Sequence, residues 1–139
     1  MARVAVFRLL YVSTALVPPD QVAHAIFDVS RRDNLAAGIT GCLLYTRQNY
    51  AQVLEGDEEA VTTLIGRIAS DPRHHQLHIV AARRCEDRSY GKWAMGRASG
   101  THLQRFVWEI AQGRSQSSVI ETELLAALVP EPDNADATH

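Results

Sequence analysis

From Val4 to Val12 apolar residues fill both alternating parities of a short run, which predicts a central strand covered on both faces. Pro18-Pro19-Asp20 then opens a helix, because proline is tolerated at a helix start and an acid suits the positive end of the dipole. Val22, Ile26 and Val29 recur at helical spacing, and this helix is expected to fade between Asn34 and Gly38. Ile39 to Thr46 and Tyr50 to Glu55 read as two strands, made a hairpin by the short link Arg47-Gln48-Asn49. A second helix follows Gly56-Asp57, with Val61, Leu64, Ile65 and Ile68 as an i, i+3, i+4, i+7 stripe and Asp71-Pro72 as its stop. Leu77 to Ala82 is a fourth strand and Trp93 to Ala98 a fifth. Two more helical stretches run near Leu103 to Gln112 and Val119 to Val129.

The order β-α-β-β-α-β with an extra strand predicts the α+β class. The plan is a ferredoxin-like βαββαβ(β) sheet with two helices on one face and a C-terminal helical extension on the other. Such an extension explains why the first strand is apolar on both sides. The expected organisation is a sheet domain over 1–98, the packed helical extension over 99–129 and a polar, disordered tail over 130–139.

A chain of 139 residues, 46% hydrophobic and 22% charged, can build one domain with its own core and needs no disulfide or metal staple. Fourteen Lys+Arg against sixteen Asp+Glu leave a net charge of -2, which gives no general attraction for nucleic acid or anionic lipid. Cys42 and Cys85 stand far apart and read as reduced thiols of a cytoplasmic protein. The apolar start, Met1 to Val17, is interrupted by Arg8 and alternates like a strand instead of a signal peptide. No segment approaches the roughly 20 apolar residues of a membrane span.

Hydrolytic chemistry finds no G-x-S-x-G elbow, Walker loop or H-E-x-x-H to stand on. His74, His75 and His78 cluster without a neighbouring Cys or a helical pair, so no metal site is expected. Gly38-Ile39-Thr40-Gly41 enters a strand and does not open a helix, which removes the dinucleotide reading. The polar residues on apolar elements say more. Strand parity puts Leu9, Tyr11 and Ser13 on one face, and Tyr50, Gln52 and Leu54 on one face of the third strand. A buried Gln must satisfy a donor and an acceptor or lose about 1–3 kcal/mol per unpaired group, and a central-strand phenol also needs a partner. An edge-strand Gln wetted by solvent is the competing reading. Ile26, Ser30, Asp33 and Asn34 fall on one side of the first helix, where Asn34 alone would read as a C-terminal cap. Arg67 and Asp71 are an i, i+4 pair, readable as a surface ion pair. Together they outline a slot between helices for a flat, partly polar ligand.

Five pieces occur in a known order and spacing. They are Leu10-Tyr11-Val12-Ser13; Asn34 with Gly38-Ile39-Thr40-Gly41; Gln52-Val53-Leu54-Glu55-Gly56; Ile68-Ala69-Ser70-Asp71-Pro72-Arg73-His74; and Trp93-Ala94-Met95. In these the chain resembles the blue-light-sensing flavin domains called BLUF, and its remainder resembles the helical tail of short, stand-alone members. The resemblance implies a flavin held non-covalently between the two helices: FAD first, with FMN or riboflavin as alternatives. Tyr11 and Gln52 match the photoactive pair, and Trp93 and Met95 match the two residues that compete for the place beside Gln52. Asn34 matches the residue on the pyrimidine edge and Ile26 a wall against the ring. Arg67, Asp71 and His74 match positions near the ring's edge and the cofactor's side chain. Asp33 departs from the neutral or basic residue expected at its place, where an acid would weaken binding of a phosphate.

The implied activity is photoreception without catalytic turnover. Excited flavin takes an electron from the Tyr11 phenol, and Gln52 relays the proton because its amide donates at one end and accepts at the other. The signal would leave through the strand of Trp93 and Met95 into the C-terminal helices, toward a downstream protein or through a homo-oligomer. Neither nucleic acid nor a membrane is expected as a partner. Two other readings stay open: a small flavin- or anion-dependent enzyme using His74 or His75 as acid or base, and an interaction module in which Tyr11 and Gln52 are ordinary core residues.

Overall fold

The two parities of the first strand, β1 (Val6–Ala15), enter two separate cores in a computed structural model that describes residues 5–98, 100–113 and 120–131. Leu9 and Tyr11 join Ala23, Phe27, Ile39, Leu43, Leu54 and Val61 beneath α1 (Pro19–Ala37) and α2 (Glu58–Ala69). Leu10 and Val12 join Leu44, Val53, Val107, Ile110, Leu124 and Leu128 beneath α3 (Gln104–Ala111) and α4 (Ile120–Ala127). A sheet with helices on both faces is the consequence of a strand with no polar side.

The remaining strands are β2 (Thr40–Tyr45), β3 (Asn49–Gly56), β4 (His74–Cys85) and β5 (Gly96–Ala98), and the sheet order is β4-β1-β3-β2-β5. All pairings are antiparallel except β2 with β5, which is parallel. Gly38, at φ 69, caps α1 in the left-handed conformation, and at Gly41 a Cβ would lie 2.0 Å from the Val53 carbonyl oxygen. Asp57 caps α2, its carboxylate accepting from the Ala60 amide. No helix among the described residues is long and apolar enough to cross a membrane.

Several expectations need correcting. β4 is twice as long as its apolar centre suggests, because it is an edge strand whose flanking His75, Arg83 and Arg84 face solvent while their backbones still pair with β1. A bulge at Gln76 (φ 53) brings Val12 opposite His78 but Thr14 opposite His75. β5 is shorter than expected, starting at Gly96: the Trp93 carbonyl accepts from the Gly41 amide (3.0 Å) and the Trp93 amide bonds back to the Tyr90 carbonyl (3.1 Å), so that segment turns. The buried side of α1 is Ala23, Phe27 and Asn34, while Val29 is 45% exposed and Ile26 half-buried. Asn34 lies inside the helix and is not its cap.

Val4 and Val119, expected at element ends, lie outside the described residues, as do 132–139 of the expected tail. Pro130 and Glu131 are described. Glu131 donates its amide to the Arg97 carbonyl of β5 (3.0 Å), and Pro130 lies against Gly96.

Candidate functional site

α1 and α2 stand on one face of the sheet and leave between them a cleft of about 850 Å³, solvent at its mouth included. Tyr11 and Gln52 form its floor. They are direct cross-strand partners in the β1–β3 register, so their side chains emerge side by side on the cleft face. The Tyr11 hydroxyl donates to Gln52 Oε1 at 2.6 Å, and Gln52 Nε2 donates to the Met95 sulfur at 3.1 Å. A thioether has no proton to give, so Met95 favours the amide orientation that turns nitrogen toward sulfur and oxygen toward the phenol. Burial pushes the Tyr11 phenol well above its ordinary pKa, with Tyr50 and Asp71 adding to the rise. It is therefore a neutral donor with its proton directed at the amide.

Ile26, Asn34, Arg67, Asp71 and His74 also line the cleft, so all seven positions read from the sequence as ligand-binding meet there. Asn34 donates to the Ala94 carbonyl at 2.9 Å, tying α1 to the segment that carries Met95. The surface ion pair, the alternative reading of Arg67 and Asp71, is not formed. Asp71 instead takes Arg73, through its side chain and its backbone amide. That bond from Arg73 holds the Asp71 carboxyl below its usual range against the opposing effect of burial. His74 is buried and doubly committed. Its Nε2 lies 2.5 Å from the Ile68 carbonyl, which can only accept, so Nε2 donates there, and Nδ1 shares a hydrogen bond with the Ser13 hydroxyl at 2.6 Å. It braces the end of α2 against β1. Among the described residues no group of three or more His, Cys, Asp or Glu could hold a metal ion.

Trp93 and Met95 part company. Met95 is fully buried beside Gln52, whereas Trp93 packs against the core of the opposite face, under α3 and α4. The cleft is also lined by Leu43, Tyr50, Leu64, Ile68 and Arg73, which the sequence did not single out as ligand contacts. Tyr50 shares the parity of Gln52, a signal that was present in the sequence. Its ring meets His74 edge-on at 5.9 Å.

A sequence profile of the family described as sensors of blue light using FAD matches residues 6–96. The chain belongs to this family, the BLUF proteins, and is a flavin-binding, blue-light-sensing domain. The photoactivated adenylate cyclase subunit alpha of Euglena gracilis is 35% identical over 91 residues, which are 63% of this chain and 9% of that protein. The blue light- and temperature-regulated antirepressor BluF of Escherichia coli (strain K12) is 30% identical over 77 residues, 55% of this chain and 19% of that protein. This chain thus spans only a small part of these curated relatives. The dark-state structure of BlrB, a BLUF protein, superposes with a TM-score of 0.75 at 27% identity, covering 91% of this chain and 96% of that one.

The residues present fit a flavin. Ile26, Val29, Leu64 and Ile68 leave apolar surface on both helices facing one another across the cleft, which suits the two faces of a flat ring. Polar groups gather along the cleft at Asn34, Gln52, Tyr50 and the Asp71–Arg73 pair, which suits a ligand with polar edges and a polar side chain.

Proposed function

We propose that Tyr11, Gln52 and Met95 form the light-responsive unit of this receptor and that its flavin is FAD, as the family description has it. The observation that carries the reading is the buried 2.6 Å hydrogen bond from the Tyr11 hydroxyl to Gln52 Oε1. A flavin in the cleft supplies, on absorbing blue light, an oxidant for one electron. Tyr11 is the phenol placed to give that electron, and Gln52 accepts its proton without any side chain having to move first. Turning or tautomerising the carboxamide exchanges its donating and accepting ends, and the electron and proton then return to Tyr11, so that no net oxidation remains. The turned amide would set oxygen against the Met95 sulfur, where no proton is available, so the new state is higher in energy and returns in the dark.

The route outward starts at Met95 and enters β5. The C-terminal segment rests on β5 through Glu131 on Arg97, and on the loop before β5 through the Tyr90 hydroxyl, which donates to the Leu128 carbonyl at 2.9 Å. Tyr90 is placed in turn by Glu55, whose buried carboxylate accepts from the Ser89 and Tyr90 amides and from Arg8. Glu55 is the last residue but one of β3, the strand that bears Gln52. The output surface is therefore the C-terminal helices and the partner a protein that reads them, as a separate effector or as part of a longer chain.

The test uses Tyr11→Phe and Gln52→Ala. Both variants should bind flavin and stay yellow, and neither should show a reversible light-driven spectral shift. Normal cycling in both would show that Tyr11 and Gln52 are not the photoactive pair.

A further inference from the structure

Three buried side-chain atoms among the described residues have no hydrogen-bond partner: Thr14 Oγ1, Trp93 Nε1 and Tyr50 Oη. Of these, only Tyr50 lines the cleft. The residue is 4% exposed, so water does not readily serve its hydroxyl, and a phenol left unpaired inside a protein is a standing cost. Its place can be read from the register. Gln52 sits midway along the cleft face of β3, and Leu54, two residues on, lies opposite Gly41 near Ile39, whose amide bonds the Asn34 carbonyl. Tyr50 is two residues the other way, opposite Ser13 and against His74. Asn34 and Tyr50 therefore mark opposite ends of the cleft. The Tyr50 end is also that of Asp71 and Arg73, and both charges act on the Tyr50 phenol, which burial raises above its ordinary pKa.

We propose that Tyr50 is a further flavin-binding residue whose hydroxyl bonds the polyol side chain of the flavin, an inference that rests on the flavin reading above. The chemistry at this end is mixed. An ionised Asp71 only accepts, Arg73 only donates and a phenol does both. Such a row suits sp3 hydroxyls, each of which gives one hydrogen bond and takes another, better than ring carbonyls, which only accept. The polyol and the ring carbonyls share oxygen chemistry, so a ligand lacking the polyol separates them.

The test compares wild type with Tyr50→Phe, both as flavin-free full chains in the dark. Dissociation constants for lumiflavin, riboflavin and FAD are read from the quenching of flavin fluorescence, and thermal midpoints are taken without flavin. Tyr50→Phe should weaken riboflavin and FAD about tenfold, the size of one lost hydrogen bond, and leave lumiflavin unchanged. It should also raise the midpoint of the flavin-free protein, because phenylalanine has no hydroxyl to strand. That combination is one a merely structural tyrosine would not produce. Equal weakening of lumiflavin would move the contact to the ring and overturn the polyol assignment. Unchanged constants for all three, or a lowered midpoint without flavin, would overturn the proposal while leaving the receptor reading intact. A wild-type chain that bound none of the three would overturn the receptor reading, and this inference with it.

Discussion

Gln52 stands out in a strand of apolar residues and Tyr50 does not, although both line the same cleft. An amide among Val and Leu breaks the pattern, whereas a tyrosine is at home in a half-buried strand and its stranded hydroxyl exists only in three dimensions. The alternative reading of Asp71 as an ion-pair partner on α2 fails for a related reason. The helical offset pointed back to Arg67, but α2 ends at Ala69, and in the turn that follows the carboxylate reaches the Arg73 backbone amide at 2.9 Å as well as its guanidinium. Because this bond lowers the Asp71 pKa, its stabilisation is present above the ordinary carboxylate value and is lost as pH falls through the lower folded value. Asp71→Asn should therefore be less stable than wild type at neutral pH, by under about 1 kcal/mol since the pair is partly exposed and screened. The gap should close in strong acid. Thermal midpoints of both proteins across acid pH check this, and a gap that widened toward acid would contradict the pairing.

At the scale of elements, the hairpin, both cleft helices and the apolar β1 were legible because each carries a periodic or two-sided hydrophobic pattern. The ends of β4 and the start of β5 were not, since hydrogen bonding to β1 and to Gly41 decides them and neither partner is visible locally. The same holds for the contact between Tyr90 and Leu128. Deleting α3 and α4 would be a poor test of the proposed signalling route, because Val107, Ile110 and Leu124 are buried against the sheet and their loss would expose its core. Tyr90→Phe removes one hydroxyl and leaves the ring. It should cost about 1 kcal/mol of stability, keep the light-driven spectral shift, and erase the difference in α4 amide exchange between lit and dark protein. An undiminished difference would show that the signal does not pass through Tyr90.

For the whole molecule, one feature of the sequence decided the architecture: a first strand with no polar face requires cover on both sides, and the two cores supply it. One sheet thus serves two layers. The cleft layer sets a phenol, an amide and a thioether in a row, and the opposite layer holds Trp93 and the two C-terminal helices. Which of Trp93 and Met95 lies by Gln52 could not be read from their sequence neighbours, because the turn before β5 decides it. The most direct test of light sensing by this cleft is the absorption spectrum of the purified protein, recorded in the dark, under blue light and again in the dark. A flavin band that moves to longer wavelength on illumination and returns afterwards is the predicted result. A colourless protein, or a yellow one whose band stays fixed under blue light, would contradict it.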